Sequence, residues 1–189
     1  MIKGFKKTCE SVSLQMRRKL DLRDTDALDP YLLAEYLGIK VIFPRNIPGL
    51  SDEKLKTLLQ TGVDSWSAAT LICGGKNLII LNSAHSQARS SSDLMHEISH
   101  ILLGHRPSEI AVTKDRLLML NIFNQDQENE ANWMAGCLLL PRTVLMLVKR
   151  KGWNAQTVKS IYKTSENMLT YRLNITGVNN QFDRFRRNS

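Results

Sequence analysis

His96, Glu97 and His100 form a His-Glu-x-x-His pattern inside the run DLMHEISHILL. Residues four apart stand one above the other on a helix. Two imidazoles there can both reach one metal ion, at ~2.0–2.1 Å if it is zinc. Glu97 sits about 100° round the helix from His96, beside that ion rather than on it. Its carboxylate can take a proton from a water at the metal and pass it to a leaving amine. Zinc also lowers the pKa of such a water towards ~7. The chemistry predicted is hydrolysis with Zn2+ as cofactor, His96 and His100 as ligands and Glu97 as general base.

A third ligand is needed, and ENEAN at 128–132 offers one. Glu128 and Asn132 are four apart and share a helix face. Glu128 can complete a two-histidine, one-glutamate site, leaving the fourth position open. Asn132 can accept a hydrogen bond from the second ring nitrogen of a ligating histidine. Glu130 lies about 200° from Glu128 round the helix, so the two cannot both ligate. Ala135 and Leu139 extend the face of Glu128, which favours Glu128 over Glu130.

These side chains need rigid supports. The motif helix is expected to start near Asp93, capped by Ser91 or Ser92, and to stop at Gly104. It carries Leu94, Met95, Ile98, Ile101, Leu102 and Leu103, apolar on nearly every side, as a buried helix is. An unpaired ionic group in such a setting costs several kcal/mol, about 2–7 for a polar group alone, so the histidines and Glu97 call for partners. Gln127–Leu140 reads as the second helix, ended by Pro141. Upstream, residues 5–20 form a basic amphipathic helix, Asp29-Pro30 starts a short one, and IKVIF reads as a strand. Ser51–Leu59 is a further short helix. Trp66–Cys73 and Asn77–Leu81 flank Gly74-Gly75, a hairpin signal. Arg116–Phe123 fits helix or strand. Three more helices are expected over Pro141–Lys151, Ala155–Tyr162 and Ser165–Asn174, and a loose tail from Val178.

The chain has 189 residues, 42% hydrophobic and 23% charged, which excludes wholesale disorder. No apolar run approaches the ~20 residues that cross a bilayer, so no membrane role is expected. The N-terminus is basic without an apolar segment, unlike a secretory signal. Cys9, Cys73 and Cys137 show no paired spacing, which suits free thiols in a reducing, cytoplasmic setting. The net charge is +8, and residues 142–189, with ten Lys/Arg against two acidic residues, hold all of that excess. A basic end suits an acidic partner or nucleic acid, or is simply a solvated surface.

Four features together resemble the ImmA/IrrE family of metallopeptidases. They are LIILNSAHSQARSSSDLMHEISHILLGH, ENEANWMAGCLLLP, SENMLTYRLNITGV, and the order and spacing of the three. The resemblance implies an α+β, zincin-like fold: a small mixed or antiparallel sheet packed on the His-Glu-x-x-His helix, with a helical C-terminal part. It implies a gluzincin-type ligand set and cleavage of a protein partner, which in well-known members is a helix-turn-helix repressor. The organisation expected is a basic N-terminal helix over 1–27, the peptidase domain over 28–178 (helical from about 141) and a basic tail over 179–189. The longer metzincin pattern is not met: Leu103 and Arg106 stand where it needs Gly and His. His105 is therefore read as a helix-end histidine.

Lesser candidates surround this set. His85 and Arg89 precede the motif helix, and Arg89 suits an anchoring ion pair. Tyr162, Tyr171, His105 and Arg89 are all candidates to stabilise an oxyanion. The strand Leu78–Leu81 could take an extended substrate by strand addition if it is an edge. Residues 157–178 have a helix-turn-helix look, with Tyr171 and Arg172 available to a DNA groove, but Val158, Ile161, Leu169 and Leu173 are equally core-like; nucleic acid is not the favoured partner. The function expected is a zinc endopeptidase acting on a regulatory protein. The alternative is a non-catalytic interaction module with a basic C-terminal surface. A general degradative protease or toxin component fits less well.

Overall fold

In the computed structural model, residues 3–62, 64–105, 109–112, 117–120 and 124–187 are described. The Asp29 carboxylate accepts from the Tyr31 and Leu32 amides at 2.7 and 3.2 Å and so starts α2, Pro30–Tyr36, after the longer α1, Phe5–Lys19. β1 is Lys40–Ile42, and α3, Asp52–Lys56, runs into a wide turn over Thr57–Thr61. β2, Ala68–Cys73, and β3, Lys76–Leu81, form the expected hairpin. Gly74 and Gly75 have φ of +56° and +76°, the left-handed values that both central residues of this turn type need.

The three strands make a mixed sheet in the order β1-β3-β2, with β1 parallel and β2 antiparallel to β3. β3 is therefore central. Leu78–Ile80 is paired on both sides, which leaves no edge there for strand addition; among the described residues β2 is the edge strand on the side of the hairpin. A second antiparallel pair joins β4, Glu109–Val112, to β5, Leu117–Leu120. β5 falls in the stretch Arg116–Phe123, and the rest of that stretch, 116 and 121–123, lies outside the described residues.

α4, Gln87–Leu102, lies under this sheet. It begins six residues earlier than Asp93. Ser86, not Ser91 or Ser92, is its cap, accepting from the Arg89 amide at 3.4 Å. The serines that look like a loop are absorbed into the helix; Ser92 Oγ donates to the Ala88 carbonyl one turn back, at 3.1 Å. Leu94, Met95 and Ile98 of α4 are fully buried with Ile79 and Leu81 of β3. Each such side chain contributes roughly 1.5–3 kcal/mol on burial.

α5, Gln125–Leu139, packs along α4 and against α1. Asn124 caps it, accepting from the Asp126 and Gln127 amides at 3.0 and 3.3 Å. Its far end is held by buried polar groups. Ser13 Oγ donates to the Cys137 carbonyl at 2.6 Å, and Arg17 to the Leu138 carbonyl at 2.8 Å. Arg172 donates to the Leu140 carbonyl at 3.0 Å. The last carbonyls of a helix have no partner within it, and two guanidinium groups at the negative helix end satisfy them here. Burial pushes Arg17 down to about 10, still protonated at neutral pH.

α6 (Arg142–Lys151), α7 (Ala155–Tyr162) and α8 (Glu166–Thr176) follow as expected. Val158 of α7 and Leu169 and Arg172 of α8 are buried, and Arg172 pairs with Glu10 at 2.5 Å. Arg172 is therefore not available to a DNA groove. From Val178 the chain continues as α9, Val178–Arg187, where a loose tail is expected from sequence. The fully buried Val178 anchors its start, and α9 packs on α6 and α8. The architecture is α+β, with a small mixed sheet on the motif helix and a helical C-terminal part. Among the described residues no single helix is long and apolar enough to cross a membrane.

Candidate metal centre

One turn of α4 separates His96 from His100, and their Nε2 atoms come within 3.0 Å of each other. Glu128, in the first turn of α5, faces both. Its Oε2 lies 3.2 Å from His96 Nε2 and its Oε1 lies 3.5 Å from His100 Nε2. All three side chains are half-buried. Donors placed tetrahedrally at ~2.0–2.1 Å from an ion stand about 3.3–3.4 Å apart. The spacings of 3.0 Å between the imidazoles and of 3.2 and 3.5 Å from them to the two different Glu128 oxygens bracket that figure. The donor set, two imidazoles and one carboxylate, fits a metal ion of the zinc type.

The far sides of both rings are also occupied. His96 Nδ1 lies 3.1 Å from Asn132 Oδ1, one turn along α5 from Glu128. His100 Nδ1 lies 2.9 Å from His105 Nδ1. Burial, with His96 and His105 nearby, pushes His100 down to about 4, so its imidazole is neutral at physiological pH. Glu130 is not part of the three-donor group. Its Oε2 lies 3.4 Å from His105 Nε2, so it faces the end of α4.

Glu97 points from α4 towards the sheet, where the Thr70 hydroxyl of β2 donates to its Oε2. Burial pushes the Glu97 carboxyl up, and the Thr70 bond opposes that shift. No motif announces Thr70. It lies 27 residues away, and only the hairpin register brings it over α4.

The lesser candidates separate cleanly. His85 is almost fully enclosed, with Nδ1 3.2 Å from Asp93 Oδ2 and Nε2 3.4 Å from the Asn82 amide. It ties down the loop before α4. Arg89 is an anchor as well, 3.4 Å from both Asp64 and Ser67. The Tyr162 hydroxyl donates to the Thr25 carbonyl at 2.9 Å. Tyr171 is exposed and lines a cleft of about 480 Å³ together with Asn132, Trp133 and Met168.

A peptidase family model described as the IrrE N-terminal-like domain matches residues 34–174. The chain belongs to the IrrE N-terminal-like family. The match spans the three-stranded sheet, both site helices and most of α8, and leaves α1 and α9 outside it. Family membership and the three convergent donors together support a metal-dependent, protease-like role for this IrrE-like chain. A search of curated proteins finds no significant match. Among solved structures, the chain is similar to a Mycobacterium tuberculosis transcriptional regulator, at 13% identity and a TM-score of 0.49. That likeness covers 91% of this chain and 47% of the regulator, so the IrrE-like chain spans about half its length.

Proposed function

We propose that this protein is a zinc-dependent endopeptidase that cleaves a regulatory protein in the cytoplasm, with a helix-turn-helix repressor as the substrate class. The observation that carries the reading is the convergence of His96, His100 and Glu128, with Glu97 beside them and not among them. His96 Nε2, His100 Nε2 and the Glu128 carboxylate would hold the zinc. When bound, zinc supplies a Lewis acid for the scissile carbonyl and lowers the pKa of water.

Glu97 is the general base in this reading. Its carboxylate takes the proton of the attacking water and delivers it to the leaving amine. The Thr70 bond holds one carboxylate oxygen and leaves the other to the proton. β2 carries Thr70 and is an edge strand, so an extended peptide added along it would lie next to Glu97. Family membership supports a protein substrate. Three free cysteines suit a reducing compartment.

Metal analysis of purified protein tests the site. About one zinc per chain is expected in the wild type, and a large loss in Glu128→Ala. Equal zinc in the two proteins would refute the ligand assignment.

A further inference from the structure

The turn that ends α4 does more than stop a helix. The Gly104 amide donates to the Ile101 carbonyl at 3.1 Å, and the His105 amide to the His100 carbonyl at 3.0 Å. This pair of bonds is the Schellman arrangement, and Gly104 supplies the left-handed residue it needs, with φ +67°. In that turn the residue after the glycine packs against the residue five positions before it. The sequence His100-Ile-Leu-Leu-Gly-His105 therefore brings one imidazole back onto another. The two ring centroids are 5.0 Å apart, with Nδ1 facing Nδ1 at 2.9 Å.

We propose that His105 and Glu130 are positioning residues for the metal site, a relay that locks His100 in the tautomer whose Nε2 lone pair faces Glu128. This rests on the reading of His96, His100 and Glu128 as zinc ligands. For His100 to bind through Nε2, its hydrogen must be on Nδ1. That N–H points at His105 Nδ1, which must then be the acceptor. His105 consequently carries its own hydrogen on Nε2, and this nitrogen faces Glu130 Oε2 at 3.4 Å. One assignment satisfies each nitrogen in turn, and the chain ends on an anionic acceptor. The His105 ring is only 7% exposed, so water does not compete freely for it.

The two ligand histidines are thus backed differently. His96 is held by the neutral amide of Asn132, and His100 by a carboxylate acting through a second ring. α5 supplies the ligand Glu128 and, at 130 and 132, the groups behind both imidazoles. Metal ligands backed in this way are fixed in orientation and made more basic, and losing the backing group typically lowers affinity about 10–100-fold.

A helix-end histidine that merely fills space predicts something else: a phenylalanine would serve as well. Zinc affinity of the full chain is measured by competition with a chromogenic chelator. His105→Ala and His105→Phe should each bind zinc about 10–100-fold more weakly than the wild type. His105→Asn, whose Oδ1 can accept where Nδ1 does, should stay within about threefold of it, by the same comparison. Glu130→Gln should fall between these. On the zinc-loaded wild type, 15N spectra of the imidazoles should show His105 protonated at Nε2. This last measurement needs no variant, so an unstable substitution does not block the test. Wild-type affinity in His105→Phe, or an Nδ1-protonated His105, would overturn the relay. His100→Ala and Glu128→Ala are the controls: if they keep zinc, the metal reading itself fails, whereas their losing it while His105→Phe keeps it removes the relay alone.

Discussion

The Thr70 hydroxyl of β2 donates a hydrogen bond to the Glu97 carboxylate of α4, and this contact links the edge of the sheet to the proposed general base. Burial pushes that carboxyl towards protonation, and the Thr70 bond is the largest influence opposing it. A hydrogen bond to a charged group is worth about 1.5–3 kcal/mol, a factor of roughly ten to a hundred. Thr70→Val should therefore lower kcat by about tenfold or more, while zinc content and the unfolding temperature stay close to wild type. Thr70→Ser should restore most of the rate. Steady-state kinetics beside metal analysis distinguishes this from a general loss of structure.

The ligand set gives a second expectation. His96→Ala, His100→Ala and Glu128→Ala should each lose most of their zinc and unfold at lower temperature, because metal binding is coupled to folding. Glu130→Ala should keep zinc in the presence of excess metal, with weakened affinity only. A chelator should lower the wild-type unfolding temperature and leave that of Glu128→Ala nearly unchanged. The opposite pattern, with Glu130 essential and Glu128 dispensable, would mean that the two glutamates have been assigned the wrong way round.

A third expectation concerns the far end of α5. A Cβ on Gly136 would stand 2.7 Å from Arg172 Cδ, closer than real side chains approach. Gly→Ala inside a helix ordinarily gains about 0.5–1 kcal/mol. Overpacking a tight site costs typically 1–3 kcal/mol, so the clash wins. Gly136→Ala should destabilise the protein in denaturant titrations by pushing Arg172 off the Leu140 carbonyl. A stabilised Gly136→Ala variant would show that Arg172 moves aside at little cost.

Much of the site was legible because helices have a fixed period. His96, His100, Glu128 and Asn132 follow from spacing four, and the structure brings them together. What spacing does not carry is the route between elements. Thr70 reaches Glu97 only through the register of the β2–β3 hairpin. Glu130 looks idle from its angle on α5, until the turn at Gly104 curls His105 towards it. The start of α4 is hidden in sequence because a serine-rich run reads as loop, whereas Ser86 caps the helix and Ser92 bonds within it. Arg17 and Arg172 look like surface charge in sequence. They are buried because the carbonyls ending α5 need donors.

The central claim is that Glu97 moves the proton and does not hold the metal. The decisive measurement is cleavage of a candidate repressor by zinc-loaded Glu97→Gln, followed by repressor length on a gel. The amide keeps the shape of the side chain but cannot take up the proton. About one zinc per chain, unchanged repressor binding and a fall in cleavage of at least the roughly 10²–10⁴-fold that general acid–base assistance is worth are expected. Cleavage at the wild-type rate by a zinc-loaded Glu97→Gln protein would contradict it.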